Sequence, residues 1–119
     1  NPNYPPWMNW NTAKIYLVRR DYAEAVSWLE RSRSDWYHWT HVFIAAALCA
    51  QGEIENGKAS LEKALEIVPN LAGVYWREKH MWYKGDGLYP LMEIVGSGLE
   101  ACGWEVPPDP GPEAFSNAQ

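Results

Sequence analysis

Apolar residues along this chain recur at the i, i+3, i+4, i+7 spacing that lines one side of a helix. Tyr22, Ala25, Val26 and Leu29 make one such face, and Leu61, Ala64, Leu65 and Val68 make another. The spacing predicts helices over 8–20, 22–33, 38–51, 54–68, 72–83 and 89–102. Punctuation agrees. Asp21 with Glu24 forms a D-x-x-E capping signal at a helix start. Gly52 sits where a left-handed residue ends a helix, Pro69 stops the next, and Pro90 falls in the first turn of the last. Beyond 103 the periodicity gives way to "VPPDPGPEAF" (106–115), which is extended by composition.

The helical pattern repeats itself. "DYAEAVSWLERS" (21–32) aligns with "EIENGKASLEKA" (53–64) at a constant offset of 32 residues. Tyr22 falls on Ile54, Ala25 on Gly57, Leu29 on Leu61, Glu30 on Glu62 and Arg31 on Lys63. The preceding segments align too, with Ala13 on Ala45 and Tyr16 on Leu48. A period in the thirties is the signature of stacked helical hairpins. One hairpin cannot bury its apolar face alone, so it stacks on its neighbour.

These residues carry a resemblance to the tetratricopeptide repeat (TPR) family. The second unit fits that family's 34-residue pattern through Ile44, Ala45, Leu48, Gly57, Leu61, Ala64 and Pro69. The first fits through Ala13, Tyr16, Tyr22, Ala25 and Leu29, but Ser32 stands in the Ala position and no Pro closes it. The stretch 72–102 departs, with Glu78 and Lys79 where the family has Leu and Gly, as in an atypical capping unit. The ending "GLEACGWEVPPD" (98–109) and the opening "NPNYPPWMNW" resemble the TPR region at the C-terminus of bacterial class III adenylate/guanylate cyclases. Related TPR tails occur in some winged-helix transcription regulators. None of the cyclase domain's own motifs is present, so the resemblance carries over no catalytic residue. It implies an all-α, right-handed solenoid of three helical hairpins (units 8–33, 38–68 and 72–102). The helical domain would span 1–103 and the Pro-rich tail 104–119.

Composition sharpens this picture at two points. Eight Trp and seven Tyr against two Phe is aromatic-rich for 119 residues, and such rings serve cores and binding surfaces alike. A net charge of −5 argues against a nucleic-acid footprint, which needs a clustered basic patch. No apolar run reaches the ~18 residues of a membrane span, and "FIAAALCA" (43–50) is neither a span nor a signal peptide. Cys49 and Cys102 give no disulfide framework and read as free, buried, cytoplasmic thiols. A chain opening on Asn1 rather than Met is expected to be a fragment or a processed product.

Chemistry is harder to find. His38 and His41 share one helical side, but no Cys or Asp joins them at ligand spacing, so they read as polar residues at a helix start. His80 is expected to face solvent or a groove. Ser27, Ser34, Ser60 and Ser97 lack a nucleophile elbow, and Cys49 lies in an apolar helix. "KGDGLYP" (84–90) reads as a turn between helices, and "GSG" (96–98) as close packing. No catalytic, cofactor or metal residue is expected.

A groove remains. In the resembling family the first helix of each hairpin lines a concave face. Carried over, that face comprises Trp7, Trp10, Lys14, Leu17 and Val18, then Trp39, Val42, Phe43, Ala46 and Cys49, then Trp76, His80 and Tyr83. It is aromatic and lacks a Lys/Asn carboxylate clamp. Either these rings are core or lie under the Pro-rich tail, or they anchor a partner. The reading is a non-catalytic, cytoplasmic protein-interaction module, the C-terminal regulatory region of a larger bacterial signalling protein such as a nucleotide cyclase. The alternative is a free-standing adaptor or assembly chaperone that binds a peptide or helix in the groove. Expected partners are a protein or peptide, the chain's own upstream domain, or a second copy, with no nucleic acid and no membrane insertion.

Overall fold

The computed structural model describes residues 6–82 and 90–115. Those residues form six α-helices: α1 (Pro6–Val18), α2 (Tyr22–Arg31), α3 (His38–Ala50), α4 (Ile54–Ile67), α5 (Leu71–Trp82) and α6 (Leu91–Ala101). A short 3-10 helix, Pro112–Phe115, lies in the tail. There is no strand among the described residues, and no helix among them is long and apolar enough to cross a membrane.

The 32-residue period is visible in the backbone. Arg20 and Gly52, one period apart, both turn left-handed with φ of 60° and 91°. The next amide bonds back to matched carbonyls: Asp21 N–H to Tyr16 O and Glu53 N–H to Leu48 O, each 2.9 Å. This is the αL ending that satisfies a helix's last carbonyls. Glycine adopts it without strain, whereas Arg20 does so against its Cβ. Asp21 occupies the cap position of α2, but its side chain makes no capping bond, so the D-x-x-E signal marks the site without closing it.

Packing follows the same period. α1 pairs with α2 and α3 with α4, while α2 also packs on α3. The matched small and apolar residues Ala13, Ala45, Ala25, Gly57, Leu29 and Leu61 are all buried. A Cβ on Gly57 would collide with Cys49 Sγ and lie 3.1 Å from the Ala45 carbonyl, so α4 reaches α3 only because that position is bare. Ser32, where the family has Ala, is fully buried. Its hydroxyl donates to Leu29 O (2.5 Å) and contacts Ser34 Oγ, which contacts Thr40 Oγ1. The loop between hairpins is thus closed by a hydroxyl chain that meets its own polar demand.

The last two helices depart from the expected third unit. α6 makes its closest backbone approach to α3, not to α5, and also touches α1. α3 is therefore wrapped by α2, α4 and α6, which explains why it is apolar all round. α5 meets α6 through side chains: Tyr75 Oη donates to the Met92 carbonyl (2.6 Å), and Lys79 Nζ lies 3.8 Å from Glu93.

The cysteines also correct the sequence reading. Cys49 at the end of α3 and Cys102 just after α6 form a disulfide across 53 positions. Nothing in their spacing signals it. The fold-back of α6 onto α3 brings their Cα atoms to 5.5 Å, ordinary disulfide reach.

Candidate functional site

The sequence-derived groove residues separate into three groups. Trp39 and Phe43 are core, 2% and 0% exposed, as are Leu17, Val42, Ala46 and Cys49. They cannot meet a partner, because α6 lies along α3 and the Trp10 ring of α1 stacks on Phe43. Trp7, Trp10 and Lys14 stay at or near the surface at the start of α1. Trp76 and His80 lie on α5 under the chain's own tail. Tyr83 lies outside the described residues.

At the start of α1, rings run from solvent into the core. Trp36 and Tyr37 have centroids 5.4 Å apart, Tyr37 and Trp10 5.6 Å, Trp10 and Phe43 5.2 Å, and Phe43 and Trp39 5.8 Å. Trp7, Trp10, Trp36, Tyr37 and Ser34 line a shallow, nearly wholly apolar cleft of about 150 Å³. Its outer walls are bare: Trp7 is 62% exposed and Trp36 75%. A monomeric protein gains nothing by holding two indoles in water, whereas interfaces use such rings as anchors. Trp36 was not among the groove residues read from the sequence. It precedes α3 in a loop, off any helical face, and only folding places it opposite Trp7.

Charge flanks this cleft. Lys14 Nζ sits 4.0 Å over the Trp10 ring. Burial lowers its pKa to about 8, with Glu78 of α5 acting in the opposite direction. Glu78 in turn is raised by burial, held back by Lys14 and Arg77. Tyr37 is raised by burial and then by Glu78. Helices α1 and α5 and the loop before α3 thus contribute interacting groups to one side of the molecule. Perturbed groups gather at functional sites, but also in structural ion pairs.

The two histidines of α3 have different fates. His41 is buried and its Nε2–H donates to the Asp35 carbonyl at 2.7 Å. His38 is half-buried, and burial lowers its pKa. No group of three His, Cys, Asp or Glu able to hold a metal occurs among the described residues.

On α5, Trp76 Nε1–H donates to the Pro107 carbonyl at 2.6 Å, and His80 Nε2–H to Asp109 Oδ1 at 2.7 Å. The His80 ring also lies 5.9 Å from both the Trp76 ring and the Phe115 ring. The tail therefore crosses α5, one of the two arrangements the sequence allowed. Comparison with protein-family models, curated proteins and solved structures finds no match to this chain.

Proposed function

We propose that the chain is a non-catalytic protein-interaction module of TPR kind, with Trp7 and Trp36 as the anchors for a protein partner. The observation that carries this reading is the apolar cleft between two exposed indoles, backed by rings packed into the core. A partner side chain entering it would meet a rigid floor, so little ordering would oppose binding. The repeated hairpin ends and matched buried positions support the TPR relationship.

The resemblance suggests a bacterial nucleotide cyclase as the parent protein. There the module would set how two catalytic domains associate, shifting a population rather than making a bond. An adaptor that holds a peptide in an open concave groove is the weaker reading, since α6 lies along α3 where that peptide would go. The disulfide favours an oxidising compartment over the cytoplasm that the sequence suggests, and so counts against a cyclase parent.

The test is co-purification from the native cell with wild type and with Trp7→Ser/Trp36→Ser. A protein retained by wild type and lost by the variant, at unchanged helical circular dichroism, is the expected result. Equal retention by both would contradict the reading.

A further inference from the structure

We propose that the Trp76–His80 strip of α5 is a docking site for an extended, proline-rich acidic segment of a partner protein, with residues 106–115 as its intramolecular occupant. This goes beyond the cleft at Trp7 and Trp36, with which it shares no residue.

The bound tail shows what the strip recognises. Trp76 Nε1–H takes a backbone carbonyl, that of Pro107, so this contact demands an extended chain rather than a given side chain. Two residues on, the Asp109 carboxylate meets His80. Lys79 adds positive charge beside it, with Nζ 4.9 Å from the Trp76 ring. The Asp109 carboxyl is held below its ordinary range by His80 first and by the Gly111 N–H second, as a recognised anion would be. Phe115 adds a ring contact to His80, centroids 5.9 Å apart. Prolines keep the segment extended before it binds, which lowers the ordering cost.

The same contacts mark the tail as replaceable. Pro108, Asp109, Pro110, Pro112, Glu113 and Ala114 are all exposed. Val106 packs against the core, but beyond it the strap is held at its few contact points, and a partly exposed ion pair adds little. A partner segment presenting a carbonyl followed two residues later by a carboxylate would satisfy Trp76 and His80 equally. The tethered tail, at an effective concentration of about 1 mM, sets the affinity that such a partner must exceed.

The experiment uses the full chain and a fluorescein-labelled peptide copying residues 104–115, "WEVPPDPGPEAF". Asp109→Ala/Phe115→Ala loosens the tethered tail. The exposed single change Asp109→Asn does so with the fold least disturbed. Fluorescence anisotropy should show each variant binding the peptide more tightly than wild type does. For a peptide Kd near 100 µM the gain is roughly tenfold where the double variant frees the strip fully, and about two- to fourfold for Asp109→Asn, which removes only a weak pair. Adding His80→Ala should remove that gain, and a peptide with Asn for the Asp109 equivalent should bind more weakly. The Trp76 indole N–H resonance should move on binding. Absence of binding by both variants up to the millimolar range, or binding unaffected by His80→Ala, would overturn the proposal. Dimerisation of wild type that Asp109→Asn abolishes would overturn the assignment to a partner protein, since the occupant would then be a second copy's tail.

Discussion

Gly98 of α6 rests directly on the backbone of Ala46 in α3. A Cβ built at Gly98 would collide with the Ala46 carbonyl oxygen and lie 2.8 Å from its Cα. Neither backbone can yield, because Ala46 is in the middle of the most enclosed helix. Gly98→Ala would gain about 1 kcal/mol of helix propensity and lose about 1–3 kcal/mol or more to overpacking. We expect a net loss of stability by thermal melting. An unchanged or raised Tm would mean that α6 does not cross α3 at this point.

The Cys49–Cys102 disulfide fastens the same contact at the helix ends. For a loop of this size the chain-entropy model gives about 4 kcal/mol of stabilisation. Reduction, or Cys49→Ala/Cys102→Ala, should lower Tm by roughly 10 °C or more. Thiol titration of the untreated, denatured protein should find no free thiol.

Two arginines terminate helices in a conformation that suits glycine, Arg20 at φ 60° and Arg33 at φ 52°. Arg20→Gly relieves a left-handed Cβ strain of about 1 kcal/mol, partly offset by the freer unfolded chain. A modest rise in Tm is expected. The matched position one period on, Gly52, is already glycine, and Gly52→Arg should have the opposite effect.

Lys14 makes stability depend on pH in a defined window. Its pKa falls from 10.5 unfolded to about 8 in the folded chain, chiefly through burial. Between those values the unfolded chain binds more protons, so stability rises as pH increases through this range. Tyr75 acts oppositely only above pH 10, since burial lifts its hydroxyl from 10.0 to about 12. Denaturant melts from pH 8 to 10 should therefore show a rising trend that Lys14→Met flattens.

How much of this the sequence revealed depends on whether a feature is local. The six helix spans were legible within a few residues, because 3.6-residue periodicity and the stops at Gly52 and Pro69 are local signals. The pairing of the first two hairpins followed from matched small residues such as Ala25 and Gly57. The resting place of α6 was not legible, since its apolar face would suit α5 as well as α3. The disulfide and the burial of Ala46 under Gly98 depend on that placement and were missed with it. Trp7 and Trp10, read from the sequence, line the candidate cleft, while Trp36 stands in a loop with no periodicity to mark it.

The central claim is that the cleft between Trp7 and Trp36 meets a protein partner. The direct measurement is a photoactivatable cross-linker at position 36, in the protein expressed in its native cell, with exposed Glu66 of α4 as the control position. The account predicts one dominant protein adduct at position 36 that Trp7→Ser diminishes, with none at 66. No adduct at position 36, or the same adducts at both positions, would contradict it.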